Sequence, residues 1–146
     1  MYEMLVHAHS GLRWVVLILM LMAIVQGFSG WNGQKQFSAG NKKVAMFAMI
    51  SFHTQFLLGF VLYFISPMVS FAEGFMKDST LRFYSVEHIS LMVLAMIFVT
   101  VGYSKSKKAA NDQGKFRKIA VWYLFALIFV LAAIPWPFRI ATAAWF

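Results

Sequence analysis

The sequence predicts an all-α fold, a four-transmembrane-helix bundle, N-out/C-out, built as a single domain over residues 1–146. Three observations predict it. The chain is 61% hydrophobic and only 12% charged, whereas a soluble domain of this size carries roughly a quarter of its residues charged. Lipid must therefore solvate most of the exterior. Four apolar stretches are each long enough to cross the hydrocarbon core, which takes about 20 helical residues. The basic residues gather in two of the three connecting loops, which sets the orientation.

The first apolar stretch covers about residues 2–28 and is purest from Trp14 to Val25. Glu3, His7, His9 and Arg13 precede that pure part, and no small-residue cleavage pattern follows it. It reads as a retained helix rather than a cleaved leader. The second, third and fourth stretches cover about residues 44–65, 81–103 and 119–138. The first connection, GFSGWNGQKQFSAGNKK, is rich in Gly, Ser and Asn and reads as a loop, as does SKSKKAANDQGKFRK between the last two helices. The middle connection, SPMVSFAEGFMKDST, is different. Pro67 breaks the preceding helix, and Phe71, Phe75 and Met76 then alternate with charges, which predicts a short amphipathic segment lying in the interface.

The net charge of +8 is not spread evenly. Lys35, Lys42, Lys43, Lys105, Lys107, Lys108, Lys115, Arg117 and Lys118 occupy the first and third loops against Asp112 alone. The other side balances Arg13, Lys77, Arg82 and Arg139 against Glu3, Glu73, Asp78 and Glu87. Positively charged short loops stay in the cytoplasm, so both termini and the middle loop are expected outside. The basic loops thus act as topology signals and contacts for anionic lipid, and nucleic acid is not an expected partner. Trp31 and Trp122 fall at the inner boundary and Trp136 near the outer one, where aromatic belts form. The absence of cysteine excludes disulfides, iron–sulfur clusters, thiolate metal sites and covalently attached haem.

Ionisable groups inside transmembrane segments are costly and mark functional sites by default. His9, Arg13, His53, Glu87 and His88 are the ones in question here. With helix midpoints near Val16, Gln55 and Leu94, a rise of 1.5 Å per residue puts His9 roughly 10 Å and His88 roughly 9 Å outward of the midplane. His53 lies on the order of 3 Å inward. Two histidines at matched depth on separate helices are what axial ligation of a b-type haem requires. Arg13, one turn from His9, and Arg82 are candidates to neutralise the propionates. Glu87 is a candidate to accept a hydrogen bond from the neighbouring His88 ring or to pair with Arg13. His53, flanked by Ser51, Thr54 and Gln55, suits a hydrogen bond to a neighbouring helix, a quinone carbonyl, a proton relay or a haem shared with another subunit. The same residues also admit readings without haem: interfacial histidines, a structural Arg13–Glu87 ion pair, or a copper or zinc site of three histidines and a carboxylate. The ten methionines read as packing.

The strings HSGLRW (His9–Trp14), SFHTQFLLGFVLYFISP (Ser51–Pro67), LRFYSVEH (Leu81–His88) and IPWPFR (Ile134–Arg139) resemble a family of small four-helix bacterial inner-membrane proteins commonly labelled cytochrome b. The likeness extends over nearly the whole chain. It implies a multi-pass inner-membrane location, with His9, Arg13, His53, Glu87 and His88 at the family's polar motif positions. The expected function is electron transfer through haem b, with the haem near the outer leaflet and quinol as a partner in exchange. The rival expectation is a non-catalytic small subunit packed in a larger membrane complex, and a third is a metal-ion or small-solute transporter. Other membrane subunits or further copies of the chain are the expected protein partners.

Overall fold

A computed structural model describes residues 1–140 and 143. Four helices, each long and apolar enough to cross a membrane, make up the architecture: α1 (Tyr2–Ser29), α2 (Ala39–Ile65), α3 (Ser79–Lys108) and α4 (Asp112–Ala133). No strand occurs among the described residues.

The helix ends differ from the sequence expectation, and local chemistry explains each difference. Helix α2 starts before residue 44 because Ser38 and Asn41 cap it. The Ser38 Oγ accepts from the Asn41 N–H at 3.2 Å, and the Asn41 Oδ1 accepts from the Ser38 N–H at 3.0 Å. These two bonds satisfy donors that a helix start otherwise leaves bare. Helix α4 starts well before residue 119 because the Asn111 Oδ1 accepts from the Gly114 N–H at 2.7 Å. It stops at Ala133 rather than 138, since Pro135 and Pro137 cannot donate to the helical ladder. The middle connection is not an amphipathic helix. It holds a single 3₁₀ turn, Phe75–Lys77, and then Asp78 caps α3 by accepting from the Thr80 and Leu81 N–H groups at 2.9 Å each.

Helix α3 is not uniform. An α-helical turn at Ser79–Arg82 passes into a π-helical turn at Phe83–Glu87, and the α-helix resumes at His88. A π turn inserts an extra residue and rotates everything on one side of it relative to the other. Here that wider turn buries Ser85. Its hydroxyl donates to the Ser70 carbonyl at 3.0 Å and accepts from the Ser70 N–H at 2.9 Å, while its own carbonyl accepts from the Tyr63 hydroxyl at 2.8 Å. The middle loop is thereby fastened to α3, and α3 in turn to α2.

In the bundle, α3 packs most extensively on α4, then α1 on α2 and α1 on α4, and the α2–α3 seam is the thinnest of these four. On α1 the buried positions Val16, Met20, Ala23, Ile24 and Gly27 recur every three or four residues, as one helix face requires. Ile18, Leu21 and Val25 between them are exposed and apolar, a face suited to lipid. Helices in lipid gain little from excluding water from one another, so close packing of small residues takes over. Ala45, Ala48, Ala95 and Ala126 are accordingly buried at the contacts. A Cβ on Gly27 would come within 2.8 Å of the Ala120 backbone nitrogen. The buried Tyr123 hydroxyl donates to the Ala45 carbonyl at 2.7 Å and joins α4 to α2.

Candidate functional site

Near the middle-loop end of the bundle, all four helices border a cavity of about 300 Å³. Its walls are mainly apolar, with Val16, Phe52, Phe56, Ile89, Met92 and Val130 among them. The polar groups that reach it are few: His9, Arg13, Gln55, Tyr84 and His88 are the ones that matter for chemistry.

His9 comes from α1 and His88 from α3, and their ring centroids lie 6.4 Å apart with the rings inclined at 72°. His88 stands on the residue directly after the π turn. Its Nδ1 lies 2.7 Å from the Ala133 carbonyl oxygen. A carbonyl only accepts, so Nδ1 carries the proton and Nε2 keeps its lone pair. The acceptor is available for a reason visible in the chain. In a continuing helix the carbonyl of Ala133 would take the N–H of residue 137, but that residue is Pro137 and has none. The same logic frees the Leu131 carbonyl opposite Pro135, and the Trp136 indole N–H donates to it at 2.9 Å.

His9 is held differently. Its ring lies against Gly59 of α2, where a Cβ would come within 2.8 Å of the His9 Cε1. Only glycine leaves that room. The Gln55 side-chain amide donates to the His9 backbone carbonyl at 2.8 Å, tying α2 to α1 beside the ring. The His9 Nδ1 and the Gln55 Oε1 are both buried without a hydrogen-bond partner among the described residues. Buried polar atoms are almost always satisfied, so such orphans mark a place where another group belongs.

The remaining sequence candidates lie elsewhere. His53 faces α3 rather than the cavity, with its Nε2 2.9 Å from the Thr100 Oγ1. Glu87 does not meet Arg13. Its carboxylate accepts from the Arg82 Nε at 2.9 Å and lies 3.6 Å from the Arg139 guanidinium. Arg82 is further engaged by the Met76 carbonyl at 3.0 Å and does not border the cavity. Arg13 does border it, with its guanidinium carbon 5.4 Å from the Trp14 ring centroid. Sequence reasoning passed over Gly59 and Tyr84, and treated Gln55 only as a neighbour of His53. For Gly59 there was a faint signal, a lone glycine in the middle of an apolar helix.

The chemistry open to this arrangement follows from the count of ligands. Among the described residues no three of His, Asp or Glu converge as a metal-binding group. A compact copper or zinc site built from three histidines and a carboxylate is therefore not formed. Two opposed imidazoles remain. With an imidazole–metal bond of about 2 Å on each side, two axial rings sharing one metal have centroids on the order of 6 Å apart. Fold and site together define a class: a four-helix membrane bundle with one pair of histidines facing a mainly apolar cavity. No protein-family model, curated protein or solved structure matches the chain.

Proposed function

We propose that this chain is a b-type haem-binding electron-transfer protein of the bacterial inner membrane, with His9 and His88 as the axial ligands. The observation that carries the reading is the 6.4 Å separation of two imidazoles that both border one mainly apolar cavity. A porphyrin brings four equatorial nitrogens of its own, so two protein ligands suffice, and two is the number that converges. His88 has the outer-shell partner that a ligating histidine normally has, a carbonyl on Nδ1 that fixes the tautomer and raises the basicity of Nε2. Gly59 leaves room for the His9 ring against α2, which holds the imidazole at the cavity wall. Arg13, the cation that borders the cavity, would face the propionates.

Haem held there supplies a one-electron couple. The residues around it do the rest. Val16, Phe52, Ile89 and Met92 exclude water and keep the local dielectric low, which strengthens the field of Arg13. His53 and Thr100 form a polar pair at the α2–α3 seam, where the bundle is least tightly packed. A quinol hydroxyl would dock beside that pair: Thr100 donates its own proton to the Met96 carbonyl and so accepts from the His53 Nε2–H, which leaves the His53 Nδ1 as the atom that would take up a quinol proton. The family resemblance carried by HSGLRW and LRFYSVEH points the same way.

The test is spectroscopic. Protein purified from cells supplied with ample haem should show a b-type α band in the reduced-minus-oxidised spectrum. His9→Ala and His88→Ala should each lose it. His53→Ala should keep a low-spin spectrum while losing reduction by quinol. A colourless wild-type protein would overturn the reading in favour of a non-catalytic small subunit. Loss of haem from His53→Ala, with His9→Ala still red, would overturn the ligand pair.

A further inference from the structure

At the opposite end of the bundle from the histidines there is a second cavity, of about 250 Å³, which the haem reading does not use. It lies where the start of α2, the end of α3 and the start of α4 meet. Lys42, Lys107 and Lys115 all border it, together with Ser38, Ser106 and the rings of Phe37 and Tyr103. We propose that this cavity is a binding site for a phosphate group, taken either from the headgroup of an anionic phospholipid or from phosphate free in solution.

The charge arithmetic favours an anion. The three lysines come from three different helices, and like charges do not converge on one cavity without a counter-charge. Asp112 is the carboxylate at hand, and it is committed to Lys115 at 3.0 Å. Lys42 and Lys107 remain as exposed cations on either side. Phosphate is the anion that Lys recognises as a point charge. The start of α2 adds the positive end of a long helix dipole to a site already defined by the lysines. The walls match a lipid as well as an ion. Phe37 stacks edge-on against Phe116 at 5.0 Å, and Tyr103 continues the apolar surface towards the membrane interior. A headgroup could thus sit among the lysines while its acyl chains run down the bundle.

The experiment uses the full chain, delipidated in a neutral detergent and titrated separately with short-chain phosphatidylglycerol, short-chain phosphatidylcholine and inorganic phosphate. Thermal unfolding reports binding. Phosphatidylglycerol should stabilise the protein and phosphatidylcholine should not, because its headgroup carries its own cation. Stabilisation by inorganic phosphate as well would identify the free ion as a ligand, and stabilisation by phosphatidylglycerol alone would identify the lipid. In Lys42→Gln/Lys107→Gln the apparent affinity should fall about twenty-five-fold, the product of roughly five-fold for each lysine near a phosphate. Both side chains are exposed, so the unliganded Tm should stay close to that of the wild type. Lys35→Gln/Lys118→Gln removes as much charge from the same end but lies outside the cavity and should bind normally. Equal weakening in the two double variants would overturn the proposal, since it would show diffuse attraction without a site. No stabilisation by either phosphate ligand would overturn it too.

Discussion

Glu87 and Arg13 illustrate how a single residue's role depends on which neighbour reaches it first. By depth alone the two could pair. In the structure the Glu87 carboxylate is engaged by Arg82 and Arg139, and Arg13 borders the histidine cavity instead. The difference has a measurable consequence. If Arg13 faces the haem propionates, Arg13→Leu removes a nearby positive charge, which favours the oxidised iron. The reduction potential should therefore fall and haem should be retained less well. Because Glu87 keeps its own two arginines, Arg13→Leu/Glu87→Gln should restore neither property. Redox titration of the two variants checks this, and an unchanged potential in Arg13→Leu would remove Arg13 from the site.

At the scale of elements, the stability of the bundle rests on how closely helix backbones approach. A Cβ on Gly27 would strike the Ala120 backbone at 2.8 to 3.0 Å, and backbone cannot swing aside as a side chain can. Gly27→Ala should therefore push α1 away from α4 and destabilise the protein by about 1–3 kcal/mol, the usual cost of overpacking. Gly11, on the same helix, has nothing within 4 Å of its would-be Cβ. Gly11→Ala should leave stability unchanged or raise it slightly through helix propensity. The pair is read by thermal unfolding in detergent, and equal Tm values would refute close backbone packing as the constraint. The π turn belongs to this scale as well. It places Ser85 inward to fasten the middle loop, and the next residue is His88. One local irregularity thus fastens the loop and sets the position of His88.

For the whole molecule, the central property is its polarity across the membrane. The histidine cavity is at one end and the lysine-bordered cavity at the other. Nine basic residues in the first and third loops stand against Asp112, and we propose that this end is cytoplasmic, with both termini outside. The chain has no cysteine, so single cysteines can be placed cleanly. Cysteine in place of the exposed Ala72 should react with a membrane-impermeant maleimide in intact cells. Cysteine in place of the exposed Ala110 should react only after permeabilisation. The reverse pattern would invert the topology and put the histidine cavity towards the cytoplasmic side.

The sequence by itself determined the four spans and the segregation of basic charge, and placed His9 and His88 at about the same distance along their helices. Each follows from quantities that act along the chain: about 20 apolar residues for a crossing, and 1.5 Å of rise per residue. The stop at Ala133 was not read from the sequence, which carried the fourth span to about residue 138, although Pro135 and Pro137 remove two donors in a fixed register. Only the tertiary structure decided which groups meet. It turned His53 towards Thr100, gave Glu87 to Arg82 and Arg139, and opened a space beside Gly59 for the His9 ring. Depth is set by counting residues. Azimuth is set by helix rotation and crossing, which depend on many small packing contacts at once and, in α3, on an inserted π turn that no single residue announces.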